Sequence, residues 1–338
     1  MDFLFEYSLF LAKAITMVVA IILVALVLVG LASRDKDPIH RLKIKRYNKR
    51  LLAYAETLHE KVLNKKSLKA YKKNRKQELK KHQADDEAQN RKRYFVVRFE
   101  GDVRASATNE LREIVTAILT TANNNDEVVA CIESTGGMVH SYGFAASQLQ
   151  RIRDAGIPLT ACIDKVAASG GYMMACVANR IIAAPFAVIG SIGVIVQLPN
   201  FHRFLKKHDI DFEQITAGEY KRTLTHFGEN TKKDREKCHE DVENIHQLFK
   251  TFVTHHRPVV QIEKVATGEI WYGIDAKELN LVDALSTSDD YLSAAAKEYN
   301  VFDIDYYKKK QLSEKIGEAM RHSIDYALAK CGIVRNFF

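Results

Sequence analysis

The stretch Val166-Ala167-Ala168-Ser169-Gly170-Gly171-Tyr172 carries the reading of this chain: a serine in an apolar run, followed at once by two glycines. A glycine has no Cβ, so backbone amides beside it can crowd around whatever the serine hydroxyl attacks. Outward from this point the chain alternates between two textures. Residues 94–99 (Tyr-Phe-Val-Val-Arg-Phe), 127–132 and 158–163 read as strands, and residues 109–122, 142–154 and 169–178 as helices. Strands alternating with helices of about 10 to 15 residues predict an α/β fold of βα units around a mostly parallel sheet with flanking helices. The 16-residue uncharged run at 181–196 is short for a membrane span and is interrupted by Pro185, Gly190 and Gly193, so it reads as buried strands.

Three further motifs stand in order around the serine. Glu133-Ser134-Thr135-Gly136-Gly137 ends a predicted strand with a second glycine pair, Ile189-Gly190-Ser191-Ile192-Gly193-Val194-Ile195 follows, and Gly218-Glu219-Tyr220-Lys221 supplies an amine 52 positions beyond Ser169. A serine hydroxyl is a poor nucleophile until a base takes its proton. Lysine serves only when neutral, a state that burial in apolar surroundings favours by penalising the ammonium. The attacked carbonyl becomes an oxyanion, for which amides of Gly136 or Gly137 and of Gly170 are candidate donors.

In this order and spacing the four motifs resemble the S49 family of membrane serine peptidases, the signal peptide peptidase A group, and most closely its SohB branch. The resemblance covers roughly residues 94–290, and the N-terminal region looks like that branch as well. It implies a crotonase-like (ClpP-like) core and a Ser-Lys dyad, with Ser169 as nucleophile, Lys221 as general base and Ser191 holding the lysine amine. It makes Gly136 the better oxyanion donor of the first glycine pair. It also implies hydrolysis of hydrophobic or membrane-proximal peptides such as spent signal peptides, a bacterial inner-membrane location, and a homo-oligomeric ring whose neighbouring subunits build the substrate grooves. Thr135 stands where the family usually has proline, which removes a preset from that turn.

The bland readings are a surface lysine at Lys221, a turn serine at Ser191 and a simple tight turn at Gly136 and Gly137. A crotonase-like acyl-CoA hydratase or isomerase would use the same fold and backbone amides without Ser169 or Lys221, and a non-catalytic membrane scaffold would need neither. A Ser-His-Asp triad has 12 histidines to draw on, but the GxSxG elbow is absent, since Ala167 stands two residues before Ser169. His255-His256 lacks HExxH spacing, and no GxGxxG or GxxxxGK[ST] loop occurs, so neither metal nor nucleotide cofactor is expected.

The 338 residues exceed one typical domain, and an apolar fraction of 47% suffices for a sizeable core. Five cysteines without CxxC spacing argue against a disulfide framework or a zinc site. Residues 14–32 form 19 uncharged positions, about 28 Å as a helix, which predicts one uncleaved transmembrane anchor; the rival is a cleavable signal peptide, whose apolar region would be shorter and follow a basic head. Residues 34–93 hold 21 Lys or Arg against 8 Asp or Glu, a surplus of 13 in a chain whose total is +8, so the remainder carries −5. Its first part lies directly after the predicted span, which places that flank on the cytoplasmic side, while the family resemblance allows an active site outside the cytoplasm. The helical spacing at 39–83 fits a basic helix on anionic headgroups or a solvated linker, and without a base-stacking aromatic pattern it is not a nucleic-acid site. The layout predicted is an anchor at 1–33, a basic linker at 34–93, a peptidase domain at 94–295 and a helical extension at 296–338.

Overall fold

The aromatic and β-branched run around Tyr94 forms the centre of a sheet because both of its faces are covered. In the computed structural model, which describes residues 42–87, 92–307 and scattered helical positions between 7 and 20, the order is β1 (Leu42–Arg46), α1 (Tyr47–Val62), α2 (Lys65–Glu87), β2 (Arg93–Gly101), α3 (Thr108–Leu119), β3 (Glu127–Ser134), α4 (Val139–Asp154), β4 (Leu159–Ile163), β5 (Val166–Ala168), α5 (Gly170–Ala175), β6 (Arg180–Ala183) and β7 (Val188–Gly190). Then follow α6 (His202–Lys207), α7 (Lys232–His256), α8 (Ile262–Val265), β8 (Ile270–Tyr272), α9 (Gly273–Glu278), β9 (Ala284–Leu285), α10 (Ser288–Glu298) and β10 (Asn300–Tyr306). The predicted anchor at 14–32 lies almost wholly outside the described residues, and the predicted helical extension at 296–338 lies outside them beyond residue 307. Among the described residues no helix is long and apolar enough to cross a membrane.

The strands run β1-β10-β2-β3-β4-β6-β9, with β5 joining β3 to β7 and β8 closing the far side of β7. The ladders β10-β2-β3-β4-β6-β9 and β3-β5-β7 are parallel, and β7 with β8 is antiparallel. Parallel sheets need cover on both sides. Tyr94, Val96, Val129, Cys162, Ile182 and Val301 pack with Tyr47 of α1 and Leu292 and Ala295 of α10 in one buried cluster. Helices α3 and α4 pack together, α3 also against β2 and β10 and α4 against β4; α3 contributes buried Leu111, Ile114, Val115 and Ile118 and α4 contributes Ala145, Leu149 and Ile152.

One compact unit runs Ile44–Tyr306, which extends the core at both ends beyond residues 94–295. Tyr47 of the basic segment is 3% exposed. The Asn48 side-chain amide donates to the carbonyls of Ala296 and Tyr299, and its oxygen accepts the Val301 N–H, each at 2.8 to 2.9 Å. Residues 300–306, placed in the C-terminal extension by the sequence reading, form β10 between β1 and β2. The pattern Asn-Val-Phe-Asp-Ile-Asp-Tyr conceals this strand because two of its positions are acidic, one of them buried; Asp303 is met by Arg98 at 3.4 Å and the more exposed Asp305 by Lys45 at 3.0 Å.

At the other end of the strands, Glu127 is 6% exposed and accepts from Thr160 Oγ1 at 2.8 Å, Tyr291 Oη at 2.5 Å and Lys92 Nζ at 2.8 Å, joining β3, β4, α10 and the lead into β2. Burial pushes this carboxyl up, but the bonds from Lys92, Tyr291 and Thr160 outweigh burial and hold it below its ordinary value of 4.5. A carboxyl lowered in the folded state contributes stability that is present above its unfolded pKa and lost as pH falls through the folded one. Urea unfolding is therefore expected to show stability declining below about pH 4.5, and Glu127→Gln to flatten that decline while costing about 2 kcal/mol at pH 7.

Candidate active site

The site forms where three parallel segments end side by side. The ladders pair Ser134 with Ala167 and Ala168 with Gly190, which aligns the ends of β3, β5 and β7. The ladder continues one step further, the Ser169 N–H donating to the Gly190 carbonyl at 2.8 Å. Ser169 then turns the chain into α5 with φ 52° and ψ −119°, a conformation that L-residues adopt only under constraint. Ser191, directly after β7, also has a left-handed φ of 49°, and its N–H donates to Glu269 O at 2.7 Å. Both serines are half-buried.

The glycines fit because nothing else would. A Cβ on Gly136, whose φ is +91°, would lie 2.7 Å from the Gly170 nitrogen and 2.7 Å from Ser169 Cβ. A Cβ on Gly170 would reach 2.3 Å from the Tyr142 ring, and one on Gly137 2.1 Å from the Val103 carbonyl oxygen. The two glycine turns thus press directly on each other. Gly136 donates its N–H to Ser134 Oγ at 3.0 Å, so that amide is already engaged. Gly137 is exposed, its N–H meeting no acceptor among the described residues, and Gly170 opens α5, where a first-turn N–H lies outside the helix ladder. Gly137 with Gly170, rather than Gly136, is the amide pair left open beside the serine.

Ser169, Gly137 and Gly170 line one cavity of about 200 Å³ whose other walls are almost all apolar, among them Val139, Met173, Val194, Ile245, Phe249 and Phe252. The last three come from α7, whose start is fixed by a capping box: Thr231 Oγ1 accepts the Asp234 N–H and Asp234 accepts the Thr231 N–H. The spacing of Ile245, Phe249 and Phe252 at i, i+4 and i+7 in an otherwise polar run is the sequence signal for this wall. Behind the cavity, Tyr172 is fully buried and donates to Leu281 O at 2.9 Å. Arg257 bridges Asp283 at 2.9 Å and the Asn280 carbonyl at 2.8 Å, fixing the segment that receives Tyr172.

Lys221 is not brought to this cavity. It is exposed, with its N–H turned onto Gly218 O at 3.1 Å, and lines a separate groove of about 650 Å³ together with Leu198, Phe212, Ile215, Leu224 and Phe227. The desolvation expected of a neutral lysine is thus not supplied among the described residues, where the 195–230 arm that carries Lys221 leaves Ile195, Ile215 and other apolar side chains open. Among the described residues no histidine lines the cavity of Ser169. His256 is held elsewhere, by Gln150 at 2.7 Å and Phe252 O at 2.9 Å.

Comparison with known proteins gives consistent matches. The profile of Peptidase family S49 matches residues 151–302, and that of Peptidase family S49 N-terminal matches residues 2–149. A Haemophilus influenzae protein described as "Probable protease SohB" is 44% identical over 333 residues, covering 95% of this chain and 94% of its own. A protein of the same description from Buchnera aphidicola of Acyrthosiphon pisum is 49% identical over 248 residues, 73% of this chain and 74% of its own. "Protease 4" of Haemophilus influenzae is 26% identical over 61% of this chain and 34% of its own.

The left-handed backbone at Ser169 costs about 1 to 3 kcal/mol, part of which glycine relieves. Thermal or urea unfolding of Ser169→Gly is expected to show a gain of about 1 kcal/mol over wild type after the added entropy of the unfolded chain is counted. Gly136→Ala is expected to move the other way, by about 2 kcal/mol or more, since its Cβ has no room and its φ no tolerance.

Proposed function

Because this chain belongs to peptidase family S49 and is a serine-type peptidase close to the SohB proteases, we propose that it is a membrane-anchored endopeptidase working through a Ser169–Lys221 dyad on a crotonase-like core. The observation that carries this reading is the strained Ser169, set between two glycine turns at the mouth of an apolar cavity. Its hydroxyl attacks the scissile carbonyl, a neutral Lys221 takes the proton and returns it to the leaving amine, and the resulting acyl-enzyme is released by water. Ser191, one ladder step from Ser169, orients the lysine amine. The oxyanion is received by Gly170 N–H and Gly137 N–H.

The exposed position of Lys221 supports a homo-oligomer in which the lysine of one copy completes the serine site of its neighbour. Burial of the arm's apolar side chains at that contact would remove water from around the amine, the desolvation that a lysine base needs. The apolar cavity suits hydrophobic P1 side chains, as in signal-peptide remnants or damaged membrane segments. A span at 14–32 anchors the chain in the bacterial inner membrane, followed by a basic segment, the peptidase domain and a C-terminal extension. Residues 61–76 carry eight Lys or Arg and no acid, and Tyr54, Leu58 and Val62 stand exposed at four-residue spacing on α1, a composition that favours contact with anionic lipid headgroups.

With the detergent-solubilised chain and a signal-peptide-like substrate, Ser169→Ala and Lys221→Ala are each expected to lose about 10³-fold or more of the hydrolysis rate. A fluorophosphonate is expected to label Ser169, which an acyl-CoA enzyme of the same fold would not require. Co-expressing the two inactive variants is expected to restore part of the activity, because a neighbour's intact lysine then meets an intact serine. Wild-type turnover in Lys221→Ala would remove the lysine from the reaction.

A further inference from the structure

The Ser134–Gly137 turn is not held by its own backbone alone. Gly136 N–H donates to Ser134 Oγ at 3.0 Å, Ser134 Oγ lies 2.6 Å from Tyr142 Oη, and Tyr142 Oη donates to the Asp102 carbonyl at 2.7 Å. A phenol has one proton. Since it goes to Asp102, Ser134 must donate to Tyr142, and every member of the chain has a fixed direction: Gly136 N–H to Ser134, Ser134 O–H to Tyr142, Tyr142 O–H to Asp102. Tyr142 is fully buried. Burial pushes its phenol above the ordinary value of 10, against the bond from Ser134, so the proton stays in place at working pH.

The same side chain touches the other half of the site, for its ring occupies the space that a Cβ on Gly170 would need. Gly101 keeps room for the hydroxyl pair, because a Cβ there would lie 2.5 Å from both Ser134 Oγ and Tyr142 Oη. On the outer side the turn is pinned by Met138 N–H donating to Val103 O at 2.8 Å. We infer that Tyr142 and Ser134 are positioning residues for peptide hydrolysis: their hydroxyls engage the Gly136 amide inward, and this turns the Gly137 amide outward to join Gly170 as the oxyanion donors. The inference rests on the peptidase reading above. It also accounts for the turn's definition without the proline that Thr135 replaces, since three hydrogen bonds do what a fixed φ would do.

The test compares wild type, Tyr142→Phe, Ser134→Ala and the double variant for kcat, KM, thermal midpoint and inhibition by a peptide aldehyde, whose hemiacetal oxygen mimics the oxyanion. Each single variant is expected to lower kcat by about 10- to 100-fold with KM within about threefold, and to weaken the aldehyde in parallel with kcat/KM. The double variant is expected to be no worse than either single one by more than about twofold, because one relay is broken either way. Ser134→Ala removes a single oxygen and carries the test if Tyr142→Phe fails to fold. Wild-type kcat in a folded variant, additive losses, or unchanged aldehyde affinity would overturn the inference while Ser169 is still labelled by fluorophosphonate. An unlabelled, inactive wild type would overturn the peptidase reading and this inference with it.

Discussion

The close approach of two glycine turns at the ends of β3 and β5 is the constraint on which the rest of this structure depends. Parallel pairing of Ser134 with Ala167 and of Ala168 with Gly190 delivers the turns to one place. The absence of Cβ atoms at Gly136 and Gly170 lets them touch. Ser169 is the residue that absorbs the geometric conflict, taking a backbone conformation unfavourable to a serine so that its neighbours can pack without clash. The segments on either side of it are held in a close-packed core to which Tyr142, Tyr172, Ile189 and Ile192 contribute fully buried side chains.

Much of this was readable beforehand, and the reasons differ by element. β2, β3 and β4 have strong local composition and begin and end within about two residues of the sequence reading, and the helices between them have plain 3.6-residue periodicity. The glycine motifs are legible because a turn that admits no side chain leaves glycine as its trace. Tyr142 left no such trace. Its hydroxyl acquires meaning only when the Asp102 carbonyl, 40 positions earlier, arrives at its tip. The same holds for the Gly136 amide, which the sequence offers as an oxyanion donor and the fold spends on Ser134.

Lys221 illustrates a different limit. Its motif is local, but its surroundings are not: it lines a groove apart from that of Ser169, and the arm that bears it displays apolar side chains to solvent. Spacing along a sequence fixes the order of such residues and leaves open which surface each one meets. Several buried charges of the core, in contrast, meet partners within the chain. Glu127 and Arg257 each sit against named partners, so burial of charge at these positions serves to join elements that are far apart in sequence.

The position of β10 bears on how the protein comes into being. A strand from the end of the described chain separates β1, which emerges first from the ribosome, from β2. While the ribosome is still adding the intervening residues, the β2 margin has no neighbour on that side, and Tyr47 has no pocket, since Val301, Leu292 and Ala295 do not yet exist. Completion of the sheet therefore waits on pairings of high contact order. A nascent chain stalled short of residue 300 would present an open parallel edge, a natural point of engagement for chaperones or quality-control proteases.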